Sequence, residues 1–171
     1  ATSGDISGTG AVTVAGAIDL DATGNIDFGN LEAQGGGFTV DAGGNIDFGN
    51  SGSSSNLTLN AGGDIDFTTA QAGDILINGD RIGFDSASGN DIDITSNGAI
   101  EFTSIDGYGS VDIDATTGIG SGNVNGGNID AGGPVSIVTN RTVFLDSVQG
   151  GANVDIRANS SNANITIGSL N

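Results

Sequence analysis

The stretch Ala42-Gly43-Gly44-Asn45-Ile46-Asp47-Phe48-Gly49-Asn50 decides the fold, because it recurs. Upstream it reads Ala22-Thr23-Gly24-Asn25-Ile26-Asp27-Phe28-Gly29-Asn30, and downstream Ala61-Gly62-Gly63-Asp64-Ile65-Asp66-Phe67. It decays to Arg81-Ile82-Gly83-Phe84 and then to Ala99-Ile100-Glu101-Phe102. The phenylalanines at 28, 48, 67, 84 and 102 are 20, 19, 17 and 18 residues apart. A period near twenty marks a repeat architecture, in which each unit buries its apolar face only by stacking on the next.

Working outward, each repeat carries two short strands of apolar-x-apolar form. The first are Ile18/Leu20, Phe38/Val40, Leu57/Leu59, Ile75/Ile77, Ile92/Ile94 and Val111/Ile113. The second are Ile26/Phe28, Ile46/Phe48, Ile65/Phe67, Ile82/Phe84 and Ile100/Phe102. Residues two apart share one face of a strand, so Ile and Phe point inward and Asp, Thr or Glu outward. Glycine and asparagine between the strands are expected to supply positive-φ corners. A variable segment such as Asn50-Ser51-Gly52-Ser53-Ser54-Ser55-Asn56 is expected to be a surface loop closing the repeat.

Residues 1–17 read as an irregular first coil, 18–115 as regular coils, and 116–171 as looser coils of the same domain. In the looser part Ile119-Gly120-Ser121 stands where Ile-x-Phe belongs, and 123–133 reads as an insertion with two glycine pairs. The pattern resumes with Val135/Ile137 and Val143/Leu145, then Val154/Ile156 and Ile165/Ile167. Pro134, the only proline, precedes a strand, where it is tolerated. No apolar 3–4 periodicity persists, so helix is not expected.

The fold expected is all-β: a parallel β-helix, or β-solenoid, of about eight coils of 17–24 residues, with the phenylalanines stacked inside. Right-handed winding is expected, because left-handed forms usually run on six-residue units. An antiparallel β-sandwich is the rival for short strands with frequent turns, but it gives no reason for a recurring Ile-Asp-Phe.

Composition bounds the function. Twenty-one acids against three basic residues give a net charge of -18. That charge repels phosphate backbones and anionic membrane surfaces, and it favours cations, salt or solubility. Nucleic acid and membrane insertion are therefore not expected, and no run of about 18 apolar residues exists. Glycine is 32 of 171 without a three-residue period, and one proline occurs, which excludes collagen. Charged residues are 14%, too few for a disordered chain with regular apolar pairs. Cysteine and methionine are absent, and no signal peptide is visible at Ala1-Thr2-Ser3-Gly4-Asp5. A processed chain, an internal segment or a trimmed initiator would each give that pattern.

The candidate ligands are the outward carboxylates Asp27, Asp47, Asp66 and, past Gly83, Glu101. In a β-helix they would form a column of like charges, which destabilises a sheet unless cations or salt compensate. Calcium takes 6–8 oxygens, more than one column supplies; Asp64/Asp66, Asp91/Asp93 and Asp112/Asp114 could add some. The competing reading is a solvated acidic face that bears no resident cofactor. Catalysis is not expected. Arg81, Arg141 and Arg157 are scattered, and no carboxylate pair is singled out for acid–base work. Outward Thr39 and Thr58 are ordinary strand threonines, since Asp19 and Leu76 interrupt their column. Sequons at Asn56, Asn140, Asn159 and Asn164 are expected by chance in so polar a chain. Phe144 breaks the alternation by facing away from Val143 and Leu145.

Gly24-Asn25-Ile26-Asp27-Phe28 and Leu57-Thr58-Leu59-Asn60-Ala61-Gly62-Gly63-Asp64-Ile65-Asp66-Phe67 resemble repeats of filamentous-haemagglutinin-type large exoproteins. These are adhesins exported by two-partner secretion. The resemblance covers about residues 17–115 and lacks the family's Asn-Pro secretion motifs. It implies a repeat region of a secreted or bacterial cell-surface adhesin, not its export signal. A structural or adhesive solenoid is the function expected, with a cation- or glycan-binding module as alternative. Neither Ala1–Gly16 nor Asn159–Asn171 looks like a cap. Flanking coils or other copies docked end to end are therefore the expected partners, forming a fibre, with surface glycans or cations as further ones.

Overall fold

A computed structural model describes residues 4–116 and 122–171. Among these the chain forms seventeen strands and no helix. In chain order they are β1 (Ile6–Val14), β2 (Ile18–Ala22), β3 (Ile26–Ala33), β4 (Phe38–Ala42), β5 (Ile46–Ser53) and β6 (Leu57–Ala61). There follow β7 (Ile65–Gln71), β8 (Ile75–Gly79), β9 (Ile82–Gly89), β10 (Ile92–Ser96), β11 (Ile100–Gly107) and β12 (Val111–Ala115). The last are β13 (Val124–Ala131), β14 (Val135–Thr139), β15 (Val143–Gly150), β16 (Val154–Ala158) and β17 (Ile165–Leu170).

Odd-numbered strands build one nine-stranded sheet and even-numbered strands an eight-stranded sheet, each in simple sequence order. Each strand pairs in parallel with its equivalent one coil away: Ile46 lies against Ile26 and Ile65, and Leu57 against Phe38 and Ile75. The molecule is a parallel β-solenoid of about eight coils, as the repeat demands, and the antiparallel sandwich is excluded. Ile26, Ile46, Ile65, Ile82 and Ile100 are buried in one column, and Phe38, Leu57, Ile75, Ile92 and Val111 in another.

Several local expectations are corrected. The segment after each Ile-x-Phe begins as a continuation of the odd strand, through Ser53 in β5, and only its end, 54–56, turns outside the strands. Leu31, Ser51, Ala70, Ala87, Ile105, Ile129 and Val148 fill a third buried column there. Its spacing from the phenylalanine is three residues, because two outward residues such as Gly29-Asn30 bend the strand. That break in the period of two hid it.

Residues 123–133 are likewise not an insertion. Val124–Ala131 is strand β13, with Val124 and Ile129 in the isoleucine and third columns and Gly126 in the phenylalanine column. The Ile119-Gly120-Ser121 reading lies outside the described residues. The first coil also carries a long strand, β1, paired to β3 with one irregularity between Gly8 and Ala11.

The corners do not use positive φ either. Gly4 alone has it among the described residues, and no other residue type does. Glycine serves instead where stacked turns approach closely: a Cβ on Gly43 would strike the Thr23 carbonyl, while the Gly43 amide donates to Ala22 at 2.9 Å. Asparagine serves as an acceptor from the coil above. The Asn25 side-chain oxygen accepts from the Asn45 amide at 2.8 Å, and that of Asn45 from the Asp64 amide at 3.0 Å. A second ladder, within the eight-stranded sheet, runs from Asn78 to Asn60 to Asp41 at 2.8 and 2.7 Å.

The aromatic stack is shorter than five. Phe48, Phe67, Phe84 and Phe102 stack with centroids 4.9–5.6 Å apart. Phe28 shares their register but is only half-buried, and Phe48 instead meets Phe38 edge-on at 6.3 Å. Glycine flanks the column at both ends. Gly8 precedes Phe28 and Gly126 follows Phe102, and a Cβ at Gly126 would clash with the Phe102 ring.

Candidate functional site

The outer face of the nine-stranded sheet carries the predicted carboxylates. Register places Asp27, Asp47 and Asp66 on successive coils in one column. Gly83 comes next and Glu101 after it, so the structure brings the four together in the order expected. The column continues through Asn125 and Phe144 to Thr166. Phe144 is 48% exposed, which bears out its outward reading. Stacked coils repeat at about 4.8 Å, so neighbouring carboxylates face each other at sheet spacing across Asp27, Asp47 and Asp66.

Beside this column the bend after each phenylalanine opens a shallow cleft of about 710 Å³. One wall is Asp47, Asp66, Gly83, Glu101, Asn125 and Phe144. The other is Thr68, Asp85, Thr103, Gly127 and Asp146. Phe48, Phe67, Phe84 and Phe102 lie beneath it, with their side chains buried on the inner side of the sheet. Asp27 is in the column but not in the cleft. Asp85 and Asp146 were not singled out from sequence. Their signal was positional: each directly follows the inward residue of its coil, Phe84 or Leu145, where other coils have Gly49, Thr68 or Thr103.

Electrostatically the cleft is one-sided. No arginine lines it. Burial, then the charges of Asp47 and Asp64, push the Asp66 carboxyl above the usual carboxylate range, and Arg81 only partly offsets them. Gly83 leaves room for this carboxylate: a Cβ there would sit 2.6 Å from an Asp66 oxygen. Arg81 lies 3.9 Å from Asp64, and Arg157 pairs with Asp155.

The auxiliary ligands behave differently. Asp91 is a corner acceptor; hydrogen bonds at 2.8 Å from the Ser110 amide and hydroxyl hold its carboxyl below the usual range. Asp93 faces Asp112 across β10 and β12, and burial, then Asp112 and Asp114, push it up. Among the described residues no three Asp or Glu converge closely enough to hold a metal ion. Thr39 and Thr58 do pair, with Asp19 and Leu76 on either side. Of the sequon asparagines, Asn56, Asn159 and Asn164 are exposed, while Asn140 is half-buried and donates to the Thr116 carbonyl at 3.2 Å.

Compared with known families, curated proteins and solved structures, the chain matches none.

Proposed function

We propose that this chain is a structural and adhesive segment of a secreted or cell-surface fibre, and that it is not an enzyme. The observation that carries the reading is the continuous core. One hydrophobic core runs through the stacked coils from Ile18 to Val148, and length is added by repetition alone. Such a shaft presents a long outer surface at fixed spacing, which suits reach and multivalent contact. The repeat style of Asn-Ile-Asp-Phe supports the adhesin resemblance. Ile165 and Leu170 in the last described strand are 46% and 58% exposed, whereas Val143 and Val148 one coil earlier are covered. Flanking coils or a second copy would cover them in the same way.

The test is to label producing cells with an antibody to this chain and view them by electron microscopy. Label along extended surface fibres is expected. Label confined to the cell interior overturns the reading.

The acidic column favours a second reading, a module that takes up calcium or other cations. Thermal melting with millimolar calcium decides it, since a ligand specific to the folded state raises the midpoint. A rise matched by equal ionic strength of sodium chloride leaves only charge screening.

A further inference from the structure

We propose that Asn97 modifies itself: the Gly98 backbone nitrogen attacks its side-chain amide and turns the asparagine into aspartate and isoaspartate. The proposal is independent of the adhesive reading. It starts from a dipeptide that occurs at Asn78-Gly79, Asn97-Gly98 and Asn125-Gly126. A glycine after asparagine offers an attacking nitrogen that no side chain shields, on a backbone free to turn. By sequence the three sites share one chemistry, and the fold separates them.

Ring closure needs the asparagine Cβ and the next nitrogen eclipsed about the Cα–C bond, a ψ far from the extended value of a strand. Asn78-Gly79 ends β8, which is paired with β6 on one side and β10 on the other. The Asn78 side chain is tied as well, donating to Asn60 at 2.8 Å. Asn125-Gly126 lies inside β13, between β11 and β15, and Gly126 is buried against the Phe102 ring. At both places the turn in ψ requires strands to unpair. Asn97-Gly98 lies instead in the corner between β10 and β11, and Asn97 is exposed. There Asn97 Nδ2 donates to Asp80 Oδ1 at 2.9 Å, and the Gly98 amide donates to Ser96 Oγ at 3.1 Å. Both acceptors are side chains, so releasing the two groups that must meet costs side-chain bonds rather than ladder bonds. The Asn97 amide, which donates to the Gly79 carbonyl at 3.1 Å, lies on the other side of the rotating bond and keeps its place.

In the reaction the Gly98 nitrogen gives its proton to hydroxide and bonds to Asn97 Cγ. The Cγ–Nδ2 bond breaks, and ammonia leaves with a proton taken from water. Water then opens the cyclic imide. Breaking the new bond gives aspartate; breaking the original peptide bond gives isoaspartate, whose main chain runs through Cγ and is a methylene longer. Either product sets a carboxylate where Asp80 had a hydrogen-bond donor, and adds a negative charge to a chain already at -18. The isoaspartyl chain also carries the Gly98 amide away from Ser96. The corner between two coils is thus loosened irreversibly as the protein ages.

The experiment is to hold the folded protein at mildly alkaline pH and follow the three Asn-Gly peptides by mass spectrometry after peptic digestion. Conversion at Asn97 should be at least about ten-fold faster than at Asn78 and Asn125, because a corner opens at lower cost than a strand. In urea the three rates should converge. Ser96→Ala removes the acceptor of the Gly98 amide and should speed Asn97 about five-fold, the factor one net hydrogen bond is worth. Asp80→Ala frees the Asn97 side-chain amide at an exposed position and should act in the same direction. Melting curves establish that each variant is folded. Two results overturn the proposal. One is equal conversion at the three sites in the folded protein, which means that global unfolding sets every rate. The other is an Asn97 that stays intact in the folded protein while urea converts all three, which means that the corner does not open.

Discussion

Phe67 and Phe144 are the same residue type under opposite conditions. Phe67 is 6% exposed, with Phe48 and Phe84 stacked on its two faces at 5.2 and 4.9 Å. Removing its ring leaves a cavity that neighbouring coils cannot close without breaking their register. Phe67→Ala should cost about 3–5 kcal/mol in denaturant unfolding. Phe144 is already 48% exposed in the folded state and lies outside the core, so Phe144→Ala should cost under about 1 kcal/mol. Equal costs would contradict the inward and outward assignment. Gly126 tests the same column from its end. A methyl there meets the Phe102 ring itself, so Gly126→Ala should destabilise by about 1–3 kcal/mol despite the better strand-forming residue. The same change at Gly10, where a Cβ meets nothing within 4 Å, should be neutral or mildly stabilising. Comparing the two midpoints separates the steric effect from backbone entropy.

Between the strands, corners decide how one coil seats on the next. The Asn45 amide donates to Asn25 and its side-chain oxygen accepts from the Asp64 amide, so one residue ties three coils. Asn45→Ala leaves the Asp64 amide without that acceptor and should cost about 1 kcal/mol, read as a lower midpoint in urea. Asn45→Asp keeps the acceptor and should restore most of it, since Asp5 plays this part toward the Asn25 amide at 2.7 Å. This is also where the sequence was misleading. Ile-x-Phe at period two was legible, and with it the strands, the parallel stacking and the carboxylate column. The corners were not, because asparagine and glycine have two uses, positive φ and close stacking, and only the neighbouring coil tells them apart. The third buried column was hidden for a related reason. Ser51 and Ala70 are too small or polar to read as core, and they become core only because Leu31 and Ala87 lie in register with them. The far wall of the cleft, Asp85 and Asp146, became visible only once the bend after the phenylalanine was known.

At the scale of the whole molecule, the net charge of -18 is arranged in columns rather than scattered, and stability should follow pH accordingly. Asp66 and Asp93 both have carboxyls raised above their ordinary value of 3.8 by burial first and by neighbouring acids second. The native state therefore takes up their protons more readily than the unfolded chain does. The sign is fixed by linkage: protonation favours the folded state, so stability rises as pH falls through their raised folded values and is fully gained below the unfolded one. Asp91 works the other way. Its hydrogen bonds from Ser110 lower it, so it contributes stability above about 3.8, its unfolded value, that is lost as pH falls through the lower folded one. The melting temperature should accordingly climb as pH is lowered from neutral toward the ordinary carboxylate range, and stop climbing once Asp91 and the other paired carboxylates titrate. Asp66→Asn should raise the neutral-pH melting temperature and flatten the climb, because it removes one buried-side charge from between Asp47 and Asp64. A melting temperature that falls steadily from neutral pH downward, in wild type and Asp66→Asn alike, would mean that the columns are already neutralised by bound cations. Repeating the scan after chelation and dialysis then distinguishes that case, since stripping the cations should restore the climb.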